Sequence, residues 1–284
     1  MIPDPAAIRK IVSDALEEDV GHLDMTTHAL IDDALQADAR IFVKEDGVLA
    51  GVIVAEAVFQ DINPNIKLQR LKQDGEVLKK GDEVLKIHAR ARELLIGERV
   101  ALNFLQRLSG IATETARFVA EAGNSKILDT RKTTPGLRVL EKYAVRCGGG
   151  ENHRMGLYDE FLIKDNHLAL LKGKMDLACA VEQARAFNHR AKLTVEADTL
   201  EQVAELIDLN VDQILLDNMS EAQMAEAVRM VAGRCKIEAS GNMELSRIRA
   251  VAETGVDYIS VGALTHSVRA LDFSMEIVKS GKID

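Results

Sequence analysis

A cationic stretch between residues 130 and 164 is the part of this sequence best suited to chemistry. It contains seven lysines or arginines and four acidic residues, a net charge of +3, whereas the 284-residue chain has a formal net charge of −9 at pH 7. Focused positive potential with forked arginine donors binds carboxylates and phosphates well. A solvated surface is the usual fate of a charge run, but these cations follow apolar runs, where functional side chains are often placed. The stretch therefore predicts a site for a small, highly charged anion.

The cations of this stretch lie where strands and loops are expected to end. Arg131 and Lys132 follow one short apolar run, and Lys164 follows another. His153 and Arg154 come shortly after three consecutive glycines, which lack the Gly-Lys-Ser/Thr continuation of a nucleotide P-loop. We interpret the glycines as a tight loop that presents His153 and Arg154 to the site.

Two acidic side chains close later apolar runs at a regular spacing. Glu196, Asp217, Ser240 and Gly262 are separated by 21, 23 and 22 residues, about one strand-helix unit each. Polar residues repeated at strand ends are typical of the catalytic face of a TIM-like barrel. Glu196 and Asp217 suit ribose hydroxyls or a hydrated Mg²⁺, which takes a few carboxylates together with substrate oxygens. The carboxylate pair of a glycoside hydrolase is the competing interpretation, but a neutral sugar would leave the nearby cations unpaired.

The last two expected strand ends carry glycines that predict phosphate binding. Glycine lets backbone N–H groups approach an anion closely, and barrels often bind phosphate in the loops after their final two strands. The plainer alternative is that these glycines only turn the chain. The candidate phosphate-binding residues are Ser240, Gly241, Asn242, Gly262, Ala263 and His266.

Short apolar runs alternate with helical patterns after residue 126, which predicts repeated strand-helix units and a parallel sheet. No Gly-x-Gly-x-x-Gly motif follows an early strand, so a dinucleotide-binding fold is disfavoured. The expected strands are 126–128, 161–164, 192–196, 213–216, 236–239 and 257–261, and the clearest helices are 175–187, 200–209, 222–231 and 245–252.

The first part of the chain has a different pattern. Residues 5–20 predict an amphipathic helix that ends at Gly21, because their apolar side chains recur at helical spacing. Residues 41–49 predict a hairpin, since two apolar pairs flank a Glu-Asp-Gly turn. Residues 93–123 predict a long helix that joins two domains.

Residues 73–87 predict a small sheet with turns at Gly75 and Gly81. This segment also resembles the carrier domains that display biotin or lipoate on a lysine at a hairpin tip. Lys79 and Lys80 lack the residues that usually flank such a lysine. A carrier or binding module therefore stays as an alternative of a different functional class.

The bulk properties exclude other classes. The length predicts about two domains, and no apolar run approaches the roughly 20 residues of a membrane span. The start of the sequence lacks the basic and apolar regions of a secretory signal, so we expect a cytoplasmic protein. A pI near 5.4 with 4% aromatic residues argues against a nucleic-acid partner. The three cysteines form no C-x-x-C pair, which indicates neither a disulfide framework nor a zinc site.

Several motifs resemble those of the quinolinate phosphoribosyltransferase family, whose members make nicotinate mononucleotide with decarboxylation. The motifs of the cationic stretch are DTRKTTPGLR (129–138), KYAV (142–145), CGGGENHRMGL (147–157) and FLIKDNH (161–167). The similarity extends over most of the chain, from DMTT (24–27) through GERVALN (97–103) to SVGALTH (260–266).

The resemblance implies an incomplete TIM-like α/β barrel plus an α+β sandwich domain, which the N-terminal part and the extreme C-terminus form together. It assigns residues 1–110 with 270–284 to the sandwich domain and residues 111–269 to the barrel, which would be the phosphoribosyltransferase domain. It also implies a homodimer with shared active sites, or a higher oligomer.

The same resemblance implies a reaction and a role for each motif residue. The pyridine nitrogen of quinolinate would attack ribose C1 of phosphoribosyl pyrophosphate, with Mg²⁺ as cofactor, and the 2-carboxylate would leave as CO₂. Lys132 would meet phosphoryl oxygens, while Glu196 and Asp217 would steady the ribose. The residues expected to bind the dicarboxylate are Arg131, His153, Arg154, Lys164 and, from the other subunit of the dimer, Arg99.

One departure and one alternative accompany this interpretation. Relatives more often have a second β-branched residue at the position of Ala197, a change that leaves Glu196 available. A related phosphoribosyltransferase could act on nicotinate or another anionic base instead. The full set of cations favours a base with two carboxylates.

Overall fold

The computed structural model describes residues 2–281, which divide into two compact units. Residues 2–116, 133–149 and 267–281 form the first unit, and residues 117–132 and 150–266 form the second. The helices are α1 (Pro5–Val20), α2 (Met25–Leu30), α3 (Val52–Ile62), α4 (Ala91–Glu121), α5 (Arg138–Cys147), α6 (Asp165–Leu171), α7 (Leu177–Phe187), α8 (Leu200–Leu206), α9 (Glu221–Val231), α10 (Leu245–Glu253) and α11 (Ala263–His266). The strands are β1 (Gln36–Val43), β2 (Gly47–Val48), β3 (Lys67–Arg70), β4 (Val77–Leu78), β5 (Glu83–Arg90), β6 (Lys126–Leu128), β7 (Phe161–Ile163), β8 (Leu193–Ala197), β9 (Gln213–Asp217), β10 (Lys236–Ser240), β11 (Tyr258–Ser260) and β12 (Phe273–Gly281).

The first unit is built on an antiparallel sheet with the strand order β12-β1-β5-β3. Every second residue of β1 is buried, as expected for a strand with one face on a core. The C-terminal strand β12 is hydrogen-bonded to β1 over its length, so both ends of the chain contribute to one sheet. The predicted helix 5–20 is confirmed as α1, with Asp4 as its N-cap and Gly21 after its last turn.

The predicted hairpin over residues 41–49 is wrong. β1 pairs with β5 and β12, whereas β2 pairs with β4. The residues read as a hairpin turn bind other segments: Glu45 accepts hydrogen bonds from Arg269 and from the Asp272 N–H. Local turn residues do not fix a strand's partner when more distant strands can satisfy its backbone groups.

The turns predicted at Gly75 and Gly81 are confirmed, with φ values of 93° and 92° that favour glycine. Lys79 lies near the turn at Gly81 with a 72% exposed side chain, and its Nζ forms a 2.9 Å ion pair with Asp46 Oδ2.

Helix α4 confirms the long helix predicted over residues 93–123. It runs through Gly110, where an added Cβ would lie 2.3 Å from the backbone oxygen of Arg269. The glycine thus permits a close approach of another backbone segment. In the same unit, Glu141 of α5 is fully buried and accepts a 2.8 Å hydrogen bond from Arg107 of α4.

Residues 133–149, which contain α5, group with the first unit. The domain boundaries expected from the sequence place this segment with the barrel. Compactness alone does not define a folding domain. The domain boundaries expected from the sequence therefore stay a prediction.

The second unit contains a six-stranded parallel sheet with the order β6-β11-β10-β9-β8-β7. All five residues of β8 are buried, as is usual for a parallel strand covered on both faces. The first strand, β6, lies beside the last, β11, which is the order of an α/β barrel left open between β6 and β7. The predicted α/β class and strand-helix alternation are confirmed.

Polar caps fix the connections that follow two of these strands. The Thr199 side chain accepts from the Gln202 N–H at the start of α8, and the Ser220 side chain does the same for Gln223 at the start of α9. These caps set where the loops after β8 and β9 end. Among residues 2–281, no helix combines the length and the apolar character that crossing a membrane requires.

Candidate active site

One cavity of about 670 Å³ in the second unit collects nearly all the predicted site residues. It lies at the carboxyl ends of the parallel strands, where barrel active sites are built. Arg99 belongs to the first unit, where it lies on α4 with an exposed side chain. The other thirteen predicted residues line the cavity: Arg131, Lys132, His153, Arg154, Lys164, Glu196, Asp217, Ser240, Gly241, Asn242, Gly262, Ala263 and His266.

The strand register explains why these side chains share one face. Ser240 is the register partner of Asp217, and Glu196 is the partner of Leu215. Partners in a parallel sheet point the same way, and residues two apart on a strand share a face. Glu196, Asp217 and Ser240 must therefore point to the same side of the sheet.

Lys164 joins the two oppositely charged sides of the cavity. Its Nζ lies 2.9 Å from Glu196 Oε2, and the backbone N–H of Asp165 donates to the other Glu196 oxygen at 3.4 Å. The Glu196 side chain is 7% exposed and the Lys164 side chain is 43% exposed, so the pair joins a buried carboxylate to a solvent-accessible ammonium. Lys164 is thus held between the cationic and the acidic residues.

Asp129 fixes the loop that carries His153 and Arg154. This fully buried carboxylate accepts 2.9 Å and 2.6 Å hydrogen bonds from the His153 N–H and the Asn152 side-chain amide. Glu151 bridges to β6 through its own N–H, which donates to the Ile127 oxygen at 2.8 Å. The loop is therefore pinned along the open edge of the sheet.

The ring of His153 is engaged at both nitrogens. Its Nδ1 accepts a 2.7 Å hydrogen bond from the Arg154 N–H, and its Nε2 lies 3.4 Å from Glu238 Oε2. Glu160 Oε1 is 3.3 Å from Nδ1, but an Nδ1 that accepts a hydrogen bond cannot donate one to Glu160. We favour the Nε2–H tautomer, since Glu160 Oε1 also lacks a hydrogen-bond partner within the described residues. This tautomer directs the ring proton at Glu238.

Arg154 and Arg131 place two positive charges close together. Burial, followed by the charge of Arg131, lowers the pKa of Arg154 below its ordinary value. A crowded and partly desolvated guanidinium gains from an anion that neutralises it. The cationic side therefore has the electrostatics of a binding site for an anion.

The acidic side contains one carboxylate more than the sequence predicted. Ligand oxygens of Glu196, Asp198 and Asp217 all lie within 4.8 Å of one another. Burial, followed by the charge of Glu196, raises the pKa of both Asp198 and Asp217. Grouped carboxylate oxygens whose charges repel one another fit a hard divalent cation such as Mg²⁺. The signal for Asp198 was its position two residues after Glu196.

Two strand-end turns form the candidate phosphate site. Gly241 has a φ of 92°, and an added Cβ would lie 2.2 Å from Asn218 Oδ1. A Cβ on Gly262 would lie 3.1 Å from Lys132 Cδ and 3.2 Å from the ring of His266. Glycine is thus required at 241 by conformation and favoured at 262 by close packing against the side chains of Lys132 and His266.

A buried polar layer beneath these residues was not foreseen. Glu238 is fully buried on β10 and accepts hydrogen bonds from Gln213 and Ser260 on the neighbouring strands. Polar residues within an apolar run are usually taken to face solvent, because a strand alternates between its two faces. On β10, however, the face that carries Glu238 points into the buried interior of the unit beneath the cavity.

Family models match almost the whole chain. The C-terminal domain model of quinolinate phosphoribosyl transferase matches residues 111–276, and the N-terminal domain model matches residues 24–109. The chain belongs to the quinolinate phosphoribosyl transferase family. The resemblance seen in the motifs is thereby confirmed.

Relatives of this family are similar along most of their lengths. A probable nicotinate-nucleotide pyrophosphorylase (carboxylating) of Bacillus subtilis is 42% identical over 97% of this chain and 95% of its own. The mitochondrial quinolinate phosphoribosyltransferase (decarboxylating) 2b of Nicotiana tabacum is 41% identical over 95% of this chain and 82% of its own. The crystal structure of NadC from Streptococcus pyogenes has a TM-score of 0.94 and 43% identity, covering all of both chains.

Proposed function

We propose that this protein transfers the phosphoribosyl group of phosphoribosyl pyrophosphate to quinolinate with decarboxylation. The products are nicotinate mononucleotide, pyrophosphate and CO₂, a step of NAD biosynthesis. The observation that carries the proposal is the charge pattern of the cavity, in which a cationic side, an acidic trio and two glycine turns lie together. The names of relatives at about 40% identity support the same reaction.

Quinolinate fits the cationic side because it is a rigid dicarboxylate. Arg131 and Arg154 supply forked donors that can pair with a carboxylate through two hydrogen bonds. Lys164 offers a point charge held in place by Glu196. His153 acts mainly by holding the Arg154 backbone and Glu238, because both of its ring nitrogens are already engaged.

Phosphoribosyl pyrophosphate fits the other side of the cavity. Glu196, Asp198 and Asp217 are the residues that would hold Mg²⁺, which when bound supplies charge neutralisation for the departing pyrophosphate. The ribose hydroxyls can donate to the same carboxylates. The phosphate contacts fall to the turns at Gly241 and Gly262, to Lys132 and to His266.

The residues of the chain contribute mainly fixed charge to this reaction. The ring nitrogen forms a bond to ribose C1 while the C1–O bond to pyrophosphate breaks, through an oxocarbenium-like transition state. Glu196 and Asp217 stabilise the positive charge that develops on the ribose. Loss of CO₂ leaves an electron pair on C2 of the ring, which the adjacent positive nitrogen stabilises before a proton replaces the lost carboxylate.

We also propose that two subunits share each active site. The exposed Arg99 on α4 is available to a second copy, where it would complete the cationic side. A homodimer is the smallest assembly that permits such sharing, and a higher oligomer built from dimers would permit it too. The predicted cytoplasmic location stays a prediction, and three relatives from Nicotiana carry the word mitochondrial in their names.

An omission assay tests the function. Purified protein is incubated with quinolinate, phosphoribosyl pyrophosphate and Mg²⁺, each left out in turn, and nicotinate mononucleotide is measured together with CO₂. We expect product only when all three are present. Formation of product from nicotinate in place of quinolinate would assign the cavity to another anionic base.

A further inference from the structure

Arg247 binds the loop that follows Asp217 and the loop that carries Gly241 and Asn242 of the candidate phosphate site. It lies on α10, and its Nη2 donates to the Met219 oxygen at 2.7 Å, in the loop that follows β9. Its Nη1 donates to the Gly241 oxygen at 3.2 Å, in the loop that follows β10. Its Nε donates at 2.6 Å to Glu221 Oε1, at the start of α9. One guanidinium thus donates to backbone oxygens in two neighbouring loops and to the Glu221 carboxylate at the start of α9.

The conformation of these loops needs such support. Asn218 and Asn242 have φ values of 53° and 49°, in the left-handed region that is uncommon for residues with a Cβ. Their side chains meet, since the Asn242 amide donates to Asn218 Oδ1 at 3.2 Å. Left-handed residues persist when the surrounding contacts over-determine them, and they often mark functional sites.

The loops also lie next to the groups that do the chemistry. Asn218 directly follows Asp217, and its side-chain amide donates to Asp217 Oδ2 at 2.7 Å. The Asn218 N–H donates to the Ser240 oxygen at 3.0 Å, which ties the two strand ends together. A shift of either loop would therefore move an acidic residue and the Gly241 turn together.

We infer that Arg247 is a positioning residue that fixes the loops after β9 and β10 for binding phosphoribosyl pyrophosphate. The inference rests on the proposed function for the identity of the ligand. Arg247 is set back from the cavity lining, so its effect passes through Met219 and Gly241. The guanidinium donates from three separate nitrogens, whereas the three N–H donors of lysine share one nitrogen and do not reach acceptors placed this far apart.

The same helix offers a matched control. Arg249 lies two residues further along α10, its side chain is 69% exposed, and it pairs with Glu121 at the surface. Replacement of Arg249 by alanine removes an equal charge from α10 and leaves both loops untouched. An exposed pair of this kind contributes little to stability.

The experiment compares Arg247→Ala, Arg247→Lys and Arg249→Ala with the wild type in steady-state kinetics. We expect Arg247→Ala to raise KM for phosphoribosyl pyrophosphate about 10- to 100-fold, because small displacements of binding groups have effects of this size. KM for quinolinate should change less than about twofold, and added guanidinium should restore part of the loss. Arg247→Lys should resemble Arg247→Ala, and Arg249→Ala should resemble the wild type.

Hydrogen exchange separates this inference from the proposed function and does not need activity. In Arg247→Ala and Arg247→Lys, amides of residues 218–220 and 241–244 should exchange faster, and added pyrophosphate should protect them less than in the wild type. If the wild type proves inactive but the variants show this exchange pattern, the proposed function is contradicted and the inference about Arg247 is not. Unchanged exchange and an unchanged KM for phosphoribosyl pyrophosphate in Arg247→Lys would overturn the inference, and so would an equal rise of both KM values.

Discussion

The cationic and acidic sides of the cavity have opposite charges but share one electrostatic feature. The pKa of Arg154 is lowered by burial and by Arg131, and the pKa of Asp198 and Asp217 is raised by burial and by Glu196. Each side is shifted toward its uncharged form because like charges stand close together, and because Arg154 and Asp217 are half-buried. Each side would therefore gain from a ligand of the opposite charge.

An ion pair links the two sides directly. The Lys164–Glu196 pair joins them across the neighbouring strands β7 and β8. Under the proposed function, the cationic side would bind the dicarboxylate and the acidic side would hold the metal-bound phosphoribosyl group next to it.

We expect the largest effect from a substitution that disrupts the cationic side alone. Arg154→Ala removes the more buried of two adjacent guanidinium groups, and kcat/KM for quinolinate should fall roughly 100- to 1000-fold, as for other closely paired charges. KM for phosphoribosyl pyrophosphate should stay within about twofold. Arg234→Ala is the control, since Arg234 is half-exposed and pairs loosely with Asp208. A normal quinolinate affinity in Arg154→Ala would remove this residue from the carboxylate site.

We expect the next largest effect from a substitution that disrupts the acidic side alone. Asp217→Asn keeps the shape of the side chain but removes charge from the trio, so kcat should fall about 100-fold through lost electrostatic stabilisation. The affinity for quinolinate, measured by titration calorimetry, should stay nearly unchanged. Asp208→Asn, at an 85% exposed position, serves as control. An equal loss of quinolinate affinity would mean that the two sides do not bind separate ligands.

Mixed subunits test whether a second copy completes the cationic side. Arg99→Ala and Arg131→Ala proteins should each be nearly inactive, because each lacks one donor to the dicarboxylate. Random mixing gives mixed dimers in which one of the two sites is intact, so activity should recover to about a quarter of the wild type. Activity is measured after unfolding and refolding the proteins together. No recovery would indicate that Arg99 serves its own subunit or none.

The smallest effect concerns the added carboxylate Asp198. An acid whose pKa is raised by folding holds its proton more tightly in the folded state, so its ionisation lowers stability as pH rises through that pKa. Asp198→Asn should therefore raise Tm at neutral pH by about 1 to 3 °C. The difference should shrink as pH falls, and also in saturating Mg²⁺. An equal Tm difference at all pH values would show that repulsion within the trio is not its cause.

The sequence predicted the strands of the second unit well for a physical reason. Short apolar runs such as 213–216 are buried on both sides, so their composition differs sharply from that of the helices between them. Strand-end residues such as Glu196 and Asp217 followed directly from where those runs stop. The hairpin at 41–49 failed because β1 takes its partners from residues up to 245 positions away, as in the pairing of Gln36 with Gly281.

Other features of the site depend on geometry that no local pattern encodes. Glu238 looks like an outward residue of its strand but is fully buried beneath the cavity. Arg247 looks like a surface arginine of an amphipathic helix, and only the fold shows that it meets two loops. The tautomer of His153 follows from the positions of Arg154, Glu160 and Glu238, which come together only in the folded chain.

The most direct measurement is the yield of CO₂ per nicotinate mononucleotide in one reaction that contains quinolinate and nicotinate in equal amounts. A cationic side adapted to two carboxylates should choose quinolinate, because nicotinate offers the cations one carboxylate fewer to bind. We predict one CO₂ for every nicotinate mononucleotide formed. Formation of nicotinate mononucleotide with little or no CO₂ would contradict the central claim, since the cavity would then select a base with a single carboxylate.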